Sequence, residues 1–248
     1  MNLFLFPHQD DEYFISPEIL INPNNSLCIF LTKGDYYGSN TEIRNSESKK
    51  VLLSLGVSPE NIIFLMDSLP IPDNNLINYL EEVYQGILKL IANKSIESIY
   101  TTAYEGGHPD HDAATGIAFV LSLTANCPAY QFFLYNAFNV TKPFFQVMKP
   151  LQDNKLEKLK IKFKDSVRVA FLFLNYKSQF KTWLGLGLFA IYHFFIQRHY
   201  YKQSISAHLF YNRPHTGELY YEMRNWMSYD SFKKVFESFF LLHGINIK

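Results

Sequence analysis

Cysteine is nearly missing from this 248-residue chain: Cys28 and Cys127 are the only two, each inside an apolar stretch. Two buried free thiols are favoured over a disulfide framework or a thiolate zinc site. An excess of charge is missing as well, because 23 basic side chains face 23 acidic ones. A neutral chain projects no long-range field toward nucleic acid or an anionic membrane. No apolar run reaches the about 20 residues that a bilayer span needs. The strongest, Leu184 to Ile196, is too short, is interrupted by His193 and is bounded by Gln197 and Arg198. It reads as a buried or interfacial helix. Met1 to Pro7 lacks a basic n-region and predicts no cleavable signal peptide, so a cytoplasmic location is expected.

What is present is an alternation of strand and helix patterns. Leu3–Phe6, Leu27–Leu31 and Ile62–Met66 are short runs that read as strands, and Ser98–Thr102 follows as a fourth. Between them, Thr41 is placed to cap a helix with apolar Ile43, Val51, Leu52 and Leu55 that stops at Gly56. Leu76 to Ala92 is amphipathic, with Leu80, Val83, Ile87, Leu90 and Ile91 on one face, and Ala113 to Thr124 continues as an apolar helix. Repeated βα units of this kind predict a Rossmann-like α/β fold, a mostly parallel sheet flanked by helices, in a single domain over 1–248. Lys158 to Lys164 alternates strictly, which predicts an edge strand with Leu159, Ile161 and Phe163 inward and lysines in solvent. Peripheral membrane contact stays open there. Asp165 or Ser166 is expected to cap a helix running to Gln179.

Two segments concentrate metal-binding chemistry. His8-Gln9-Asp10-Asp11-Glu12 follows the first strand, and His108-Pro109-Asp110-His111 follows the fourth. Parallel sheets bind ligands outside the carboxyl ends of their strands, so both segments fall on one edge. His8, Asp11 and His111 can close three corners of a zinc tetrahedron and leave the fourth to water, as a hydrolytic site requires. Asp10 and His108 are then spare acid/base groups. Asp110 lies next to both histidines and either orients an imidazole or simply turns the chain into the next helix.

These residues carry a resemblance. The chain resembles the PIG-L/LmbE-like zinc-dependent N-deacetylases, which remove acetyl groups from amino sugars. Pro7 to Glu12 matches the family's Pro/Ala-His-Pro-Asp-Asp-Glu segment, except that Gln9 replaces the usual proline. Thr32-Lys33-Gly34-Asp35, Arg44 to Glu47 with Leu55-Gly56-Val57, the full His-Pro-Asp-His segment, and Tyr176-Lys177-Ser178-Gln179 complete five markers in order. The resemblance covers about residues 1–180 as a catalytic core and leaves 181–248 as a variable, helical elaboration. It implies a Zn2+ cofactor, Asp10 directed at the water as general base, and Arg44 reaching the sugar hydroxyls. His108 in its protonated form would stabilise the oxyanion, and Glu12 would brace the loop without a catalytic step.

The expected activity is hydrolysis of the N-acetyl amide of an amino sugar or amino-sugar conjugate, with a small molecule or glycoconjugate as partner and no nucleic acid. Alternatives are hydrolysis of another small amide and a metal- or sugar-binding member of the fold without turnover. Aromatic residues make up 17% of the chain, and their rings can pack a core or line a sugar groove. Gly185-Leu186-Gly187-Leu188-Phe189-Ala190 has dinucleotide-binding spacing but no strand before it, so it reads as helix packing. His193 and His199, and His208 and His215, lack a one-face helical ligand spacing and read as surface or core histidines.

Overall fold

A computed structural model describes all residues except 36, 37, 39, 142, 143, 152–155 and 248. Seven strands form one sheet: β1 (Asn2–Phe6), β2 (Ser26–Phe30), β3 (Ile62–Phe64), β4 (Ser98–Thr102), β5 (Ala129–Phe132), β8 (Leu156–Lys160) and β9 (His199–Ser204). Their order is β3-β2-β1-β4-β5-β9-β8. The first five run parallel, while β9 is antiparallel to both β5 and β8. A second, two-stranded sheet pairs β6 (Tyr135–Asn136) with β7 (Gln146–Val147). The helices are α1 (Ser16–Ile21), α2 (Thr41–Leu55), α3 (Leu80–Ile91), α4 (Pro109–Ala125), α5 (Phe163–Ala170), α6 (Phe180–Ile191), α7 (Tyr220–Met223) and α8 (Tyr229–Leu242).

A parallel sheet covered on both faces needs strands that are apolar on both sides. β1 does this by period two. Leu3 and Leu5 join a core with Leu27, Ile29, α3, α4 and α8, whereas Phe4 and Phe6 join an opposite core with Cys28, Phe30, α2 and α6. Cys28 is buried, and Cys127 is partly buried against the first core. The chain order doubles back between β1 and β4, so the crevice beyond their carboxyl ends is the switch point where such folds bind ligands.

Several expected boundaries move. Asn40, not Thr41, caps α2, its side chain accepting from the Ile43 N–H at 3.1 Å, and Ile43 is 51% exposed. The third strand ends at Phe64 in a 3-10 turn, Leu76–Tyr79 is a 3-10 turn that precedes α3, and α4 starts at Pro109. β8 is the lysine-bearing edge strand but stops at Lys160. Phe163 opens α5 and is 62% exposed instead of inward, Lys162 takes the cap position, and the helix ends at Ala170. The Gly-x-Gly-x-x-Ala spacing lies inside α6, where an added Cβ on Gly187 would meet the Phe173 ring at 2.9 Å. Residues after 180 supply a sheet strand as well as helices.

Candidate metal centre and active site

Two turns bring the histidines together. β1 ends at Phe6 and places His8 on the crevice, and β4 ends at Thr102 before a loop that delivers His108 as the N-cap of α4. His8, His108 and His111 are all buried, and each has a ring nitrogen within 4.8 Å of the others'. The Asp11 carboxylate spans two of them: Oδ2 lies 3.5 Å from His8 Nδ1, and Oδ1 lies 3.4 Å from His111 Nε2. Oδ2 also accepts the His8 backbone N–H at 2.8 Å, which sets its direction. Three imidazoles and one carboxylate converge, a donor set suited to zinc. His111 Nδ1 is buried with no hydrogen-bond partner among the described residues.

The far side of His8 is held by carboxylates. His8 Nε2 lies 2.8 Å from Asp73 Oδ1 and 3.1 Å from Asp110 Oδ2, which keeps a proton on Nε2 and turns Nδ1 toward Asp11. Burial opposes a His8 cation, but Asp73, Asp11 and Asp110 outweigh it and hold its pKa well above the ordinary value. Burial likewise disfavours the Asp11 anion, yet His111 and His8 win and lower its pKa. Asp110 is more than a turn residue: its oxygens also accept from the Asn74 and Leu76 N–H groups at 2.8 and 2.9 Å. Asp73 was not among the sequence candidates. The only sign of it is a Pro-Asp-Asn-Asn turn between the third strand and the next helix, on the same sheet edge.

Asp10 occupies a strained position at φ 90°. One carboxylate oxygen lies 3.2 Å from Arg44 Nη2, and the other accepts from Trp183 Nε1 at 3.2 Å. Burial pushes its pKa up to about 6, against the pull of the Arg44 cation. Arg44 is buried and lines the cavity. Its two terminal nitrogens nevertheless donate to protein oxygens, Nη1 to Gly34 and Nη2 to both Gln9 (2.6 Å) and Asp10. Trp183 is a partner that no spacing announced. Gln9 fills the family's proline position with its Nε2 donating to Asn45 Oδ1 at 2.6 Å. Gly34, at φ +60°, leaves it room, since a Cβ there would come within 2.0 Å of Gln9 Oε1.

Glu12 does brace the loop. It accepts from the Asp10 N–H and the Tyr176 hydroxyl, both at 2.9 Å, and burial pushes its pKa up to about 8. Glu47 in turn accepts from the N–H and hydroxyl of Ser178, at 2.9 and 2.6 Å. Two sequence markers over a hundred residues apart are therefore one latch. His108 Nδ1 accepts from the Asp110 N–H at 3.2 Å, and burial lowers its pKa well below the usual value. This places a neutral ring here, where a protonated one was expected, with Nε2 as its N–H donor. A cavity of about 930 Å³ opens over the group, lined by His8, Asp10, Asp11, His108 and His111 on its floor and by Tyr135, Phe145, Tyr220 and Trp226 among its walls.

Residues 3–121 match the family model described as PIG-L: GlcNAc-PI de-N-acetylase. That span, just under half of the chain, carries the sequence pattern of the PIG-L family. The chain's fold is that of a deacetylase of teicoplanin biosynthesis, solved as a bog complex: TM-score 0.61 at 14% identity, covering 82% of this chain and 96% of that one. The A40926 pseudoaglycone deacetylase Dbv21 gives 0.61 at 13% identity, over 82% and 96%. A conserved protein from Thermus thermophilus gives 0.50 at 19% identity, over 75% and 83%. No curated protein matches. Among the described residues no helix is long and apolar enough to cross a membrane.

Proposed function

We propose that this protein is a PIG-L family member and a zinc-dependent N-deacetylase of an N-acetylated amino-sugar conjugate. The observation that carries the reading is the grouping of His8, His108 and His111, with the Asp11 carboxylate bridging His8 and His111, beside Asp10 on the floor of one large cavity. His8, Asp11 and His111 would hold the ion, with Asp110 and Asp73 orienting His8. When bound, zinc polarises the acetyl carbonyl and lowers the pKa of a water toward neutrality.

The chain's own groups account for the proton movements. Asp10, fixed by Arg44 and Trp183, accepts a proton from the attacking water as the new C–O bond forms. The carbonyl electron pair moves to oxygen, where the His108 Nε2–H donates to the developing charge. Asp10 then returns its proton to the nitrogen as the C–N bond breaks, giving acetate and a free amine. A pKa near 6 suits a group that must both take and return a proton near neutral pH. Arg44 supports this chemistry by positioning Asp10, and it borders the cavity where a sugar hydroxyl would meet it.

Cavity size favours a conjugate over a small amide. Its aromatic walls offer stacking faces to sugar rings or an aglycone well beyond an acetamide group. The test is acetate release from a panel of N-acetylglucosamine conjugates and simple acetamides by zinc-loaded protein. Release from conjugates exceeding that from acetamides is expected, and no release from any member of the panel would leave a binding protein without turnover.

A further inference from the structure

α6 buries Trp183, Leu186, Gly187 and Ala190, yet turns Phe180, Leu184 and Leu188 to solvent at intervals of four, with Leu184 and Leu188 69% and 74% exposed. Tyr192 and Ile196 extend this row through a π-helical turn, Tyr192–Gln197. On α5 a second row, Phe163, Val167 and Phe171, is exposed at the same interval. Phe195 of the π turn lies 6.4 Å from Phe163 and 6.3 Å from Phe171, which links the rows. Of 19 large apolar side chains exposed among the described residues, ten fall between Phe163 and Ile196. Single exposed apolar residues are ordinary, whereas such a concentration marks an interaction surface.

Charge is concentrated in the same segment. The whole chain is neutral, but residues 162–198 carry four lysines and two arginines, all exposed, against only Asp165. Lys164 and Arg168 follow Phe163 and Val167 by one position, about 100° around the helix, and Lys181 follows Phe180. Exposed leucines and aromatic rings beside lysine and arginine are the chemistry of a surface seated at the headgroup boundary of an anionic bilayer. A second copy of this chain would bring the same cations to the same face, and like charge opposes that pairing. We propose that the α5–α6 face docks peripherally on a bilayer containing anionic phospholipid. Its apolar rows enter the headgroup boundary and its cations meet lipid phosphates. The docking does not depend on the catalytic reading.

The test is co-sedimentation of the full chain with vesicles of phosphatidylcholine alone or mixed with phosphatidylglycerol. The protein is expected to pellet with the mixed vesicles, not with the neutral ones, and to be released at high salt. Leu184→Glu with Leu188→Glu, and separately Lys164→Glu with Lys181→Glu, should each weaken binding by about 20-fold or more: the first pair puts charge into the apolar row, and in the second each basic residue lost near such a surface is worth about fivefold. Circular dichroism checks that each variant is folded, and the salt dependence of the unmodified protein needs no variant. Failure of the unmodified protein to pellet with mixed vesicles, equal pelleting with neutral ones, or undiminished pelleting of both folded variants overturns the proposal. So does a dimer that Leu184→Glu with Leu188→Glu dissolves while vesicles fail to bind, because a second copy would then be the occupant.

Discussion

Asp10 is the residue on which the proposed chemistry turns, and its environment makes its role measurable. Asp10→Asn keeps size and one of the two accepted hydrogen bonds but cannot accept the water's proton. Zinc content should stay unchanged while turnover falls about 100-fold or more, read by elemental analysis beside steady-state kinetics. The direction with pH follows from the same carboxylate. A base must be ionised, so kcat/KM is expected to fall as pH drops through about 6, where Asp10 takes up a proton. Because the Arg44 cation pulls that pKa down, Arg44→Met should move the acidic limb to higher pH. An arginine that only gripped sugar hydroxyls would change KM and leave the limb in place. For the ligands the contrast is reversed. His8→Ala and His111→Ala should each lose most of the zinc, and full retention in both would remove the proposed set.

At the level of elements, the α4 start shows how much of the site was legible. His-Pro-Asp-His could be placed beyond a strand from the sequence because Ser98–Thr102 is mostly β-branched and aromatic and proline suits the first turn of a helix. The first four parallel strands and the meeting of His8 with His111 follow from that pattern, whereas β5 was not anticipated. Asp73 and Trp183 did not stand out, because each reaches the site from a separate loop or helix and neither shares a spacing with the histidines. The strand expected to run to Lys164 fails for a local reason: chain direction changes after Lys160, and alternation continuing by chance into α5 looks like strand. Packing between elements gives a further test. A Cβ on Gly116 of α4 would meet the Phe236 ring of α8 at 2.3 Å, inside a fully buried contact. Gly116→Ala is expected to cost about 1–3 kcal/mol by overpacking, seen as a lower denaturant midpoint with an unchanged slope.

Over the whole molecule, the part after residue 180 shares its sheet and its core with what precedes it. β9 sits between β5 and β8, and Phe232, Phe236 and Phe240 of α8 share the core that holds Leu3 and Leu5 of β1. A chain cut after Phe180 should therefore lack a cooperative unfolding transition and be degraded rapidly by protease, whereas a stable, protected fragment would show residues 1–180 to be self-sufficient. The position of β9 between β5 and the edge strand also bears on synthesis. A growing polypeptide releases β1 to β5 first, so the outer edge of β5 has its hydrogen-bonding groups unpaired until the chain has grown past Ser204 and cleared the ribosome. An unpaired edge on a largely apolar sheet is a template for intermolecular pairing. The nascent protein thus passes through an interval in which a holding chaperone, or slow dilution during refolding, decides between a soluble product and aggregate.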